Sequence, residues 1–190
     1  MPPTANAQTR ILTGAGTSVF SQALWTMAFA AATALAARLE IPYYPVPFTL
    51  QTMMVLLAGA FLGSRNGALS QVLYLAAGVA GLPVFAGGAI GFMRLAGPTG
   101  GYLLAFPVAA ALVGYLLRER GSLLVVTLSM AAGLLVIFAA GTLHLYAFMM
   151  RDMSNAFVSG FLLFSWWDIV KLGAASMIYF ELSKRWPRLG

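Results

Sequence analysis

Long apolar stretches alternate with short polar, proline-rich or glycine-rich segments along the chain. A helix needs about 20 apolar residues to cross the ~30 Å hydrocarbon core of a bilayer, and six of these stretches reach or approach that length. The two shortest, 50–62 and 68–80, are expected to borrow apolar loop residues or to be shielded by protein. The predicted spans are 19–39, 50–62, 68–80, 102–117, 123–143 and 157–182.

Two segments between the spans are predicted to be irregular. The first, 41–47, contains prolines, which lack an amide donor and fix φ, so an extended loop is expected there. The second, 81–101, is mostly apolar but too rich in glycine for a regular helix. Irregular backbone at membrane depth is tolerated where it is buried in protein or lines a cavity. We therefore expect a glycine-rich outer loop between helices 3 and 4 that does one or the other.

The composition supports a membrane protein. Of the 190 residues, 61% are hydrophobic and only 8% are charged, whereas soluble domains carry about 25% charged residues. The sequence therefore predicts an all-α integral membrane protein with six transmembrane helices. We expect one domain over residues 1–190, with an exposed N-terminal tail at 1–16 and a basic cytoplasmic tail at 183–190.

Several classes of function are excluded by what the sequence lacks. It contains no cysteine and one histidine, so disulfides and multi-histidine metal sites are ruled out. It contains no phosphate-binding loop and no hydrolase motif, so we expect neither an enzyme nor a cofactor. The net charge of +6 comes from basic residues that mostly flank the spans, which favours membrane orientation over nucleic-acid binding.

The distribution of basic residues predicts how the chain crosses the membrane. Six spans place both termini on one face, and basic residues concentrate on the cytoplasmic face of membrane proteins. The termini, the 63–67 turn and the 118–121 loop would share a face with seven basic residues, and the opposite face would hold Arg38, Arg94 and Arg151. This split predicts a multi-pass protein of the cell membrane with both termini in the cytoplasm.

The sharpest candidate for chemistry is a pair of charges inside the sixth span. Asp168 and Lys171 are three residues apart, which places them on one helix face and within pairing distance. A charge at this depth costs about 2.5–3.5 kcal/mol on insertion scales, so such residues are functional candidates by default. The alternative is a structural ion pair that fixes the helix in the bundle.

Other polar residues are weaker candidates, each with a structural alternative. Thr49 either caps the second span or contacts a ligand, and Gln51, which has no capping role, is the better candidate. Arg94 is either a charge at headgroup level or a clamp for a ligand. Thr99 and Tyr102 flank a glycine turn and are within reach of a cavity.

Three further side chains have a packing role as their main alternative. Tyr74, in the third span, is expected to form a hydrogen bond between helices. Asn155 precedes the sixth span and is expected to cap its N-terminus. Trp167 is either a wall of the ligand site or a packing residue.

Small residues recur in the first span at Ala28, Ala32 and Ala36. This spacing lets a second helix approach closely. The stripe is either a docking surface for a membrane partner or a packing surface inside the bundle, and the pattern alone favours neither.

Three blocks of sequence identify the family that this chain resembles. They are PVPFTLQT at 45–52, YLAAGVAGLPVFAGG at 74–88 and GPTGGYL at 97–103, followed by the Asp168–Lys171 pair. In this order they resemble the BioY family, the biotin-binding S components of energy-coupling-factor (ECF) transporters. The resemblance covers about residues 15–185.

The resemblance implies a six-helix bundle with a biotin pocket near the outer side, covered by the first and third outer loops. It implies capture of biotin outside and delivery driven by partners: a membrane T component, which docks on small residues of the first helix, and two ATP-hydrolysing subunits. Asp168 would accept from the ureido N–H groups or orient Lys171, and Lys171 or Arg94 would meet the polar oxygens or carboxylate of biotin. The apolar contacts would come from Phe48, Tyr74, Phe85 and Trp167, and close backbone approach from Gly87, Gly88, Gly100 and Gly101.

Alternative functions remain open at this point. A stand-alone biotin facilitator would need no ATPase. An S component for another small vitamin would share the architecture, and a purely structural membrane subunit would use Asp168 and Lys171 only to fix its helix.

Overall fold

The computed structural model describes residues 18–118 and 121–185, without the side chains of residues 163–166 and 185. The predicted tail at 1–16 and the last five residues of the predicted tail at 183–190 lie outside this part of the chain. The described residues are mostly helical, as predicted.

The long helices are α1 (Val19–Arg38), α2 (Gln51–Val79), α4 (Gly100–Leu116), α5 (Leu123–Leu145) and α7 (Leu163–Arg185). Between them lie two short helices, α3 (Met93–Ala96) and α6 (Met153–Phe157), and a 3₁₀ turn at Ala86–Gly88. Wide π-helical turns follow α5 at Tyr146–Met150 and α6 at Val158–Leu162.

Helix α2 is a hairpin rather than a straight rod. Gly63 breaks it with φ 78°, a value that favours glycine. A Cβ on Gly67 would lie 2.8 Å from the Cα of Gly59, and the Gln51 amide donates to the Tyr74 hydroxyl, so the halves lie side by side. The predicted second and third spans are therefore two halves of α2. The predicted turn at 63–67 is wrong in extent, because the chain leaves helical geometry at Gly63 alone.

Glycines let the helices around this hairpin pack at backbone contact. A Cβ on Gly59 would lie 2.3 Å from the carbonyl oxygen of Ala110, and one on Gly114 would lie 2.3 Å from the carbonyl carbon of Gly63. The hairpin α2 and helix α4 thus form the centre of the bundle, in the way that small residues permit between membrane helices.

Only part of the six-span prediction is matched by helix length and hydropathy. Within the described residues, Val19–Arg38 and Leu123–Met150 are long and apolar enough to cross a membrane. A third candidate is Met153–Leu162 with Trp167–Lys184, a pair bent by 41°. The halves of α2 and the 17-residue α4 are shorter than a full span.

Both predicted irregular segments are irregular. The proline-rich stretch connects two short antiparallel strands, β1 (Glu40–Ile41) and β2 (Phe48–Thr49), so the fold is helical with one small β-ladder rather than purely α. In the glycine-rich segment, positive φ values occur at Gly81, Gly87, Gly88 and Gly91. Phe85 and Leu95 hold that segment to the core, since both side chains are buried.

Candidate functional site

A cavity lies beneath the β-ladder and the glycine-rich segment, at the end of the bundle where α2 and α4 begin. The volume inside it that is open to the centre of a water-sized sphere is about 50 Å³. Its wall is formed by the end of the proline-rich loop, β2, α2, the glycine-rich segment with α3, and helices α4, α5 and α7. The lining residues are Val46, Pro47, Thr49, Gln51, Thr52, Phe85, Ala86, Arg94, Thr99, Tyr102, Leu103, Phe106, Phe138, Asp168 and Lys171.

The two buried charges of α7 form an ion pair at the floor of this cavity. Lys171 Nζ lies 2.7 Å from Asp168 Oδ1. It also donates to the Thr49 carbonyl oxygen at 2.8 Å and to the Thr52 hydroxyl oxygen at 2.9 Å, and the Thr52 hydroxyl donates to Asp168 Oδ1 at 2.8 Å. Since an ammonium group has three donors, Lys171 is fully engaged by the protein itself.

The second oxygen of Asp168 is not engaged. Asp168 is 1% exposed, and its Oδ2 atom is buried without a hydrogen-bond partner among the described residues. A buried acceptor left unpaired costs about 1–3 kcal/mol, and more when it is charged. The carboxylate therefore presents a free acceptor in the wall of a cavity, an arrangement that suits a ligand with an N–H donor.

Both side-chain polar atoms of Gln51, unlike the Oδ2 atom of Asp168, already have partners. Its Nε2 atom donates to the Tyr74 hydroxyl at 2.6 Å, and the Thr49 hydroxyl donates to its Oε1 atom at 3.1 Å. Tyr74 is buried behind this bond and does not line the cavity, so it makes the predicted bond between the two halves of α2. Leu50 rather than Thr49 is the N-cap residue of α2, although the Gln51 amide donates to the Thr49 hydroxyl.

Arg94 supplies the second cation of the cavity. It lies in α3 of the glycine-rich segment and lines the same cavity as the Asp168–Lys171 pair. Within the part of the chain that the structure describes, its guanidinium forms no hydrogen bond or ion pair. A planar guanidinium in this state suits the bidentate binding of a carboxylate.

Aromatic rings form the apolar wall. Phe85 is fully buried and meets Tyr74 edge-on, with 5.6 Å between ring centroids. Tyr102 meets Phe138 in the same way at 6.2 Å, and Phe106 completes the wall. The sequence did not single out Phe106 or Phe138, because an aromatic residue inside an apolar helix has no distinguishing signal.

Other lining residues were also missed, namely Val46, Pro47, Thr52, Ala86 and Leu103. Thr52 is the one with a usable signal, since it is a hydroxyl residue at the start of an apolar span. Eight of the predicted site residues do line the cavity: Thr49, Gln51, Phe85, Arg94, Thr99, Tyr102, Asp168 and Lys171.

The remaining predicted site residues lie outside the cavity wall. Phe48 packs against Tyr43, with 5.4 Å between ring centroids. A Cβ on Gly100 would lie 1.7 Å from the Leu95 carbonyl oxygen, so this glycine serves backbone packing. Gly87, Gly88 and Trp167 likewise do not line the cavity.

Asn155 is not the cap of the last span. The Asp152 carboxylate accepts from the Ser154 and Asn155 amides, and the Asn155 side chain donates to Asp152 Oδ2 at 2.7 Å. The prediction was wrong because a carboxylate three residues earlier is the stronger N-terminal cap. Asn155 is exposed and does not line the cavity.

The small-residue stripe of α1 is only partly on the surface. Ala28 is exposed and Ala32 half-buried, but Ala36 is 5% exposed. Residues four apart rotate about 40° around a helix at each step, so a stripe with this spacing turns into the bundle. Packing inside the chain therefore accounts for Ala36.

A bundle of apolar helices, with a cavity that contains a buried ion pair and an unpaired acceptor, is the arrangement expected of a membrane protein that binds a small ligand. The chain belongs to the BioY family, whose profile matches residues 7–188. This confirms the resemblance found in its sequence.

Known relatives and one solved structure agree with this assignment. The chain is 40% identical over 156 residues to a biotin transporter BioY of Thermotoga maritima, which covers 82% of this chain and 92% of that protein. It is 41% identical over 150 residues to a probable biotin transporter BioY of Pyrococcus horikoshii, with 79% and 88% covered. A crystal structure of the S-component for biotin from an ECF-type ABC transporter superposes with a TM-score of 0.80 at 23% identity, over 95% of each chain. The relatives are named transporters, which agrees with the prediction of a transport protein rather than an enzyme.

Proposed function

We propose that this protein is the biotin-binding subunit of a membrane vitamin uptake transporter and that biotin binds in the cavity above Asp168. The unpaired Oδ2 atom of Asp168 carries this proposal. It is a buried hydrogen-bond acceptor in a cavity with aromatic walls, and the chain belongs to a family whose named relatives transport biotin. The ureido ring of biotin carries N–H donors of the kind that this acceptor lacks.

The contacts of each charged group support a division of roles. Asp168 Oδ2 accepts from a ureido N–H. Lys171 holds the other oxygen of Asp168 in place and, with its three bonds made, orients the carboxylate rather than the ligand. Arg94 has no ion pair within the described residues and binds the biotin carboxylate. The thiophane ring and aliphatic tail pack against Phe85 and Phe138.

The proposed topology has six spans with both termini in the cytoplasm. The reversal at Gly63 supports counting the halves of α2 as two spans, and α6 with α7 as one bent span. The charge distribution of the sequence supports the orientation, since seven basic residues then lie on the cytoplasmic face. The cavity then opens on the outer side, where biotin is captured.

Delivery of biotin inside needs partners. The sequence has no phosphate-binding loop, so the energy has to come from another chain. We propose a membrane T component and two ATP-hydrolysing subunits, in line with the ECF-type transporter named for the superposed structure. The exposed face of α1 around Ala28 and Ala32 is the proposed docking surface for the T component.

Titration of the detergent-solubilised protein with biotin tests the binding function. Asp168→Asn keeps the volume of the side chain but replaces a carboxylate oxygen with a donor. Since hydrogen bonds to charged groups contribute about 1.5–3 kcal/mol, we expect affinity to fall by about tenfold to a hundredfold. Glu181→Gln, an exposed carboxylate far along α7, is the matched control and is expected to bind as the parent does.

The outcomes separate the site from the function. If Asp168→Asn binds biotin as tightly as the parent, the assigned site is wrong. If the parent protein does not bind biotin at all, the proposed function is wrong.

A further inference from the structure

The loop that delivers Arg94 to the cavity is attached to a histidine on a neighbouring helix. His144 lies in α5, and its Nε2 atom is 3.0 Å from the carbonyl oxygen of Gly97, between α3 and α4. A carbonyl oxygen accepts only, so Nε2 carries the hydrogen and donates it. The His144 ring is held in turn by Phe148, with 4.8 Å between ring centroids.

Close backbone packing around this bond fixes the position of the loop relative to α5. A Cβ on Gly101 would lie 2.3 Å from the Cβ of His144 and 2.6 Å from the Ala140 carbonyl oxygen. A Cβ on Gly100 would lie 3.2 Å from His144 Nε2. The start of α4 therefore lies directly on α5, and His144 is the side chain around which the two helices meet.

The same loop supplies two residues of the cavity wall. Arg94 lies three residues before Gly97 and Thr99 two residues after it, and both line the cavity. The Thr99 hydroxyl donates to the Arg94 carbonyl oxygen only at 3.5 Å, a long bond that holds the loop weakly. The Gly91 amide also donates to the Gly78 carbonyl oxygen of α2 at 2.8 Å, so Arg94 lies between an attachment to α2 at Gly91 and an attachment to α5 at Gly97.

We propose that His144 is a positioning residue for ligand capture, because it holds the loop against α5 in the position from which Arg94 contacts the carboxylate end of the ligand. The inference rests on the proposed function, since it assigns a role toward the same cavity. His144 does not line the cavity and acts through Arg94 alone. Loss of the Nε2 donor lets the loop move away from α5 and leaves the guanidinium misplaced.

Two substitutions at one position separate the hydrogen bond from the shape of the side chain. His144→Phe keeps a ring and removes the donor, whereas His144→Gln keeps a donor near the Nε2 position. We expect His144→Phe to weaken biotin binding by about fivefold to tenfold, the effect of one hydrogen bond, and His144→Gln to restore affinity to within about twofold of the parent. Leu143→Ala, an exposed apolar neighbour in α5, is the control and is expected to bind as the parent does.

A second pair of measurements distinguishes positioning of Arg94 from general loss of structure. In an Arg94→Gln background, His144→Phe is expected to change biotin affinity by less than about twofold, because coupled residues are not additive. With biotin methyl ester, which lacks the charged carboxylate, the parent and His144→Phe are expected to bind equally. If His144→Phe does not fold, His144→Met, which is flexible and has no donor, takes its place.

Several results would overturn the inference. Equal biotin affinity of His144→Phe and the parent removes the role of His144, and an undiminished loss in the Arg94→Gln background or with the methyl ester shows that it does not act through Arg94. A parent protein that fails to bind biotin would instead reject the proposed function, so the two failures are distinguishable.

Discussion

At the scale of single residues, the cavity depends on a division between satisfied and unsatisfied polar groups. Lys171 makes three contacts and Gln51 makes two, whereas Asp168 Oδ2 has none among the described residues. Placing a charge inside the bundle is costly, so the protein satisfies the cation completely and leaves one acceptor open. A ligand with an N–H donor removes that remaining cost when it binds.

The ion pair predicts that stability and binding respond differently to substitution. Lys171→Met leaves a buried carboxylate without its cation, and breaking a buried pair costs about 3–5 kcal/mol, so a large fall in the thermal unfolding midpoint is expected. Asp168→Asn with Lys171→Met removes both charges and is expected to recover most of the stability but not biotin binding. Thermal unfolding in detergent, followed by titration, measures both.

Lys184→Met is the matched control for this pair, since Lys184 forms an exposed ion pair with Glu181 on the same helix. Exposed pairs contribute about 0–1 kcal/mol, so little change is expected. A double variant that unfolds as early as Lys171→Met would contradict the argument, because it would show that the uncompensated charge is not the cause.

The sequence predicted those site residues whose polarity differs from that of the helix around them. Asp168 and Lys171 were found because a charge is conspicuous in an apolar helix. Phe106 and Phe138 were not, because they are apolar residues among apolar residues and only the helix rotation places them in the wall. The prediction that Asn155 caps the last span was wrong because the helix begins earlier, at Asp152, which lies outside the apolar pattern.

At the scale of elements, hydrophobic length predicted the helices but not their breaks. The short apolar stretches 50–62 and 68–80 do correspond to halves of α2, yet the reversal needs one residue rather than five, since Gly63 adopts a positive φ. The π-helical turn at Val158–Leu162 inside the predicted sixth span had no sequence signal. It depends on tertiary contacts such as the bond from the Tyr102 hydroxyl to the Gly160 carbonyl oxygen at 2.7 Å.

The packing of α2 on α4 predicts which glycines are indispensable. Gly59→Ala would place a Cβ 2.3 Å from a backbone oxygen that cannot move away, so the two helices must separate. We expect the free energy of unfolding to fall by about 1–3 kcal/mol, as it does for overpacked cores, and the thermal unfolding midpoint to fall with it.

Gly173→Ala provides the control for this prediction. Gly173 lies in helix α7, and a Cβ there would meet no atom within 4 Å, so the substitution is expected to be neutral or to stabilise by up to about 1 kcal/mol. Equal effects of the two substitutions would show that helix propensity, and not the close contact with Ala110, determines stability at Gly59.

At the scale of the whole molecule, the architecture places a cap of irregular backbone over one end of a helical bundle. The β-ladder, the glycine-rich segment and the wide turn at Val158–Leu162 all lie at the end that holds the cavity, whereas the bundle below it is packed through glycine contacts. The cavity wall therefore draws on both parts: Asp168 and Lys171 lie on the regular helix α7, whereas Arg94 lies in the irregular cap.

The absence of cysteine makes the proposed orientation directly measurable, because one introduced thiol is then the only reactive one in the chain. Tyr44→Cys and Phe92→Cys lie in exposed parts of the two segments over the cavity, and Arg118→Cys and Lys184→Cys lie at the opposite end of the proposed topology. In intact cells, a membrane-impermeant maleimide is expected to label the first two and to label the second two only after permeabilisation. Biotin titration confirms that each variant keeps its fold. The reverse labelling pattern would invert the topology and place the cavity on the cytoplasmic side, and labelling of all four in intact cells would exclude a defined orientation.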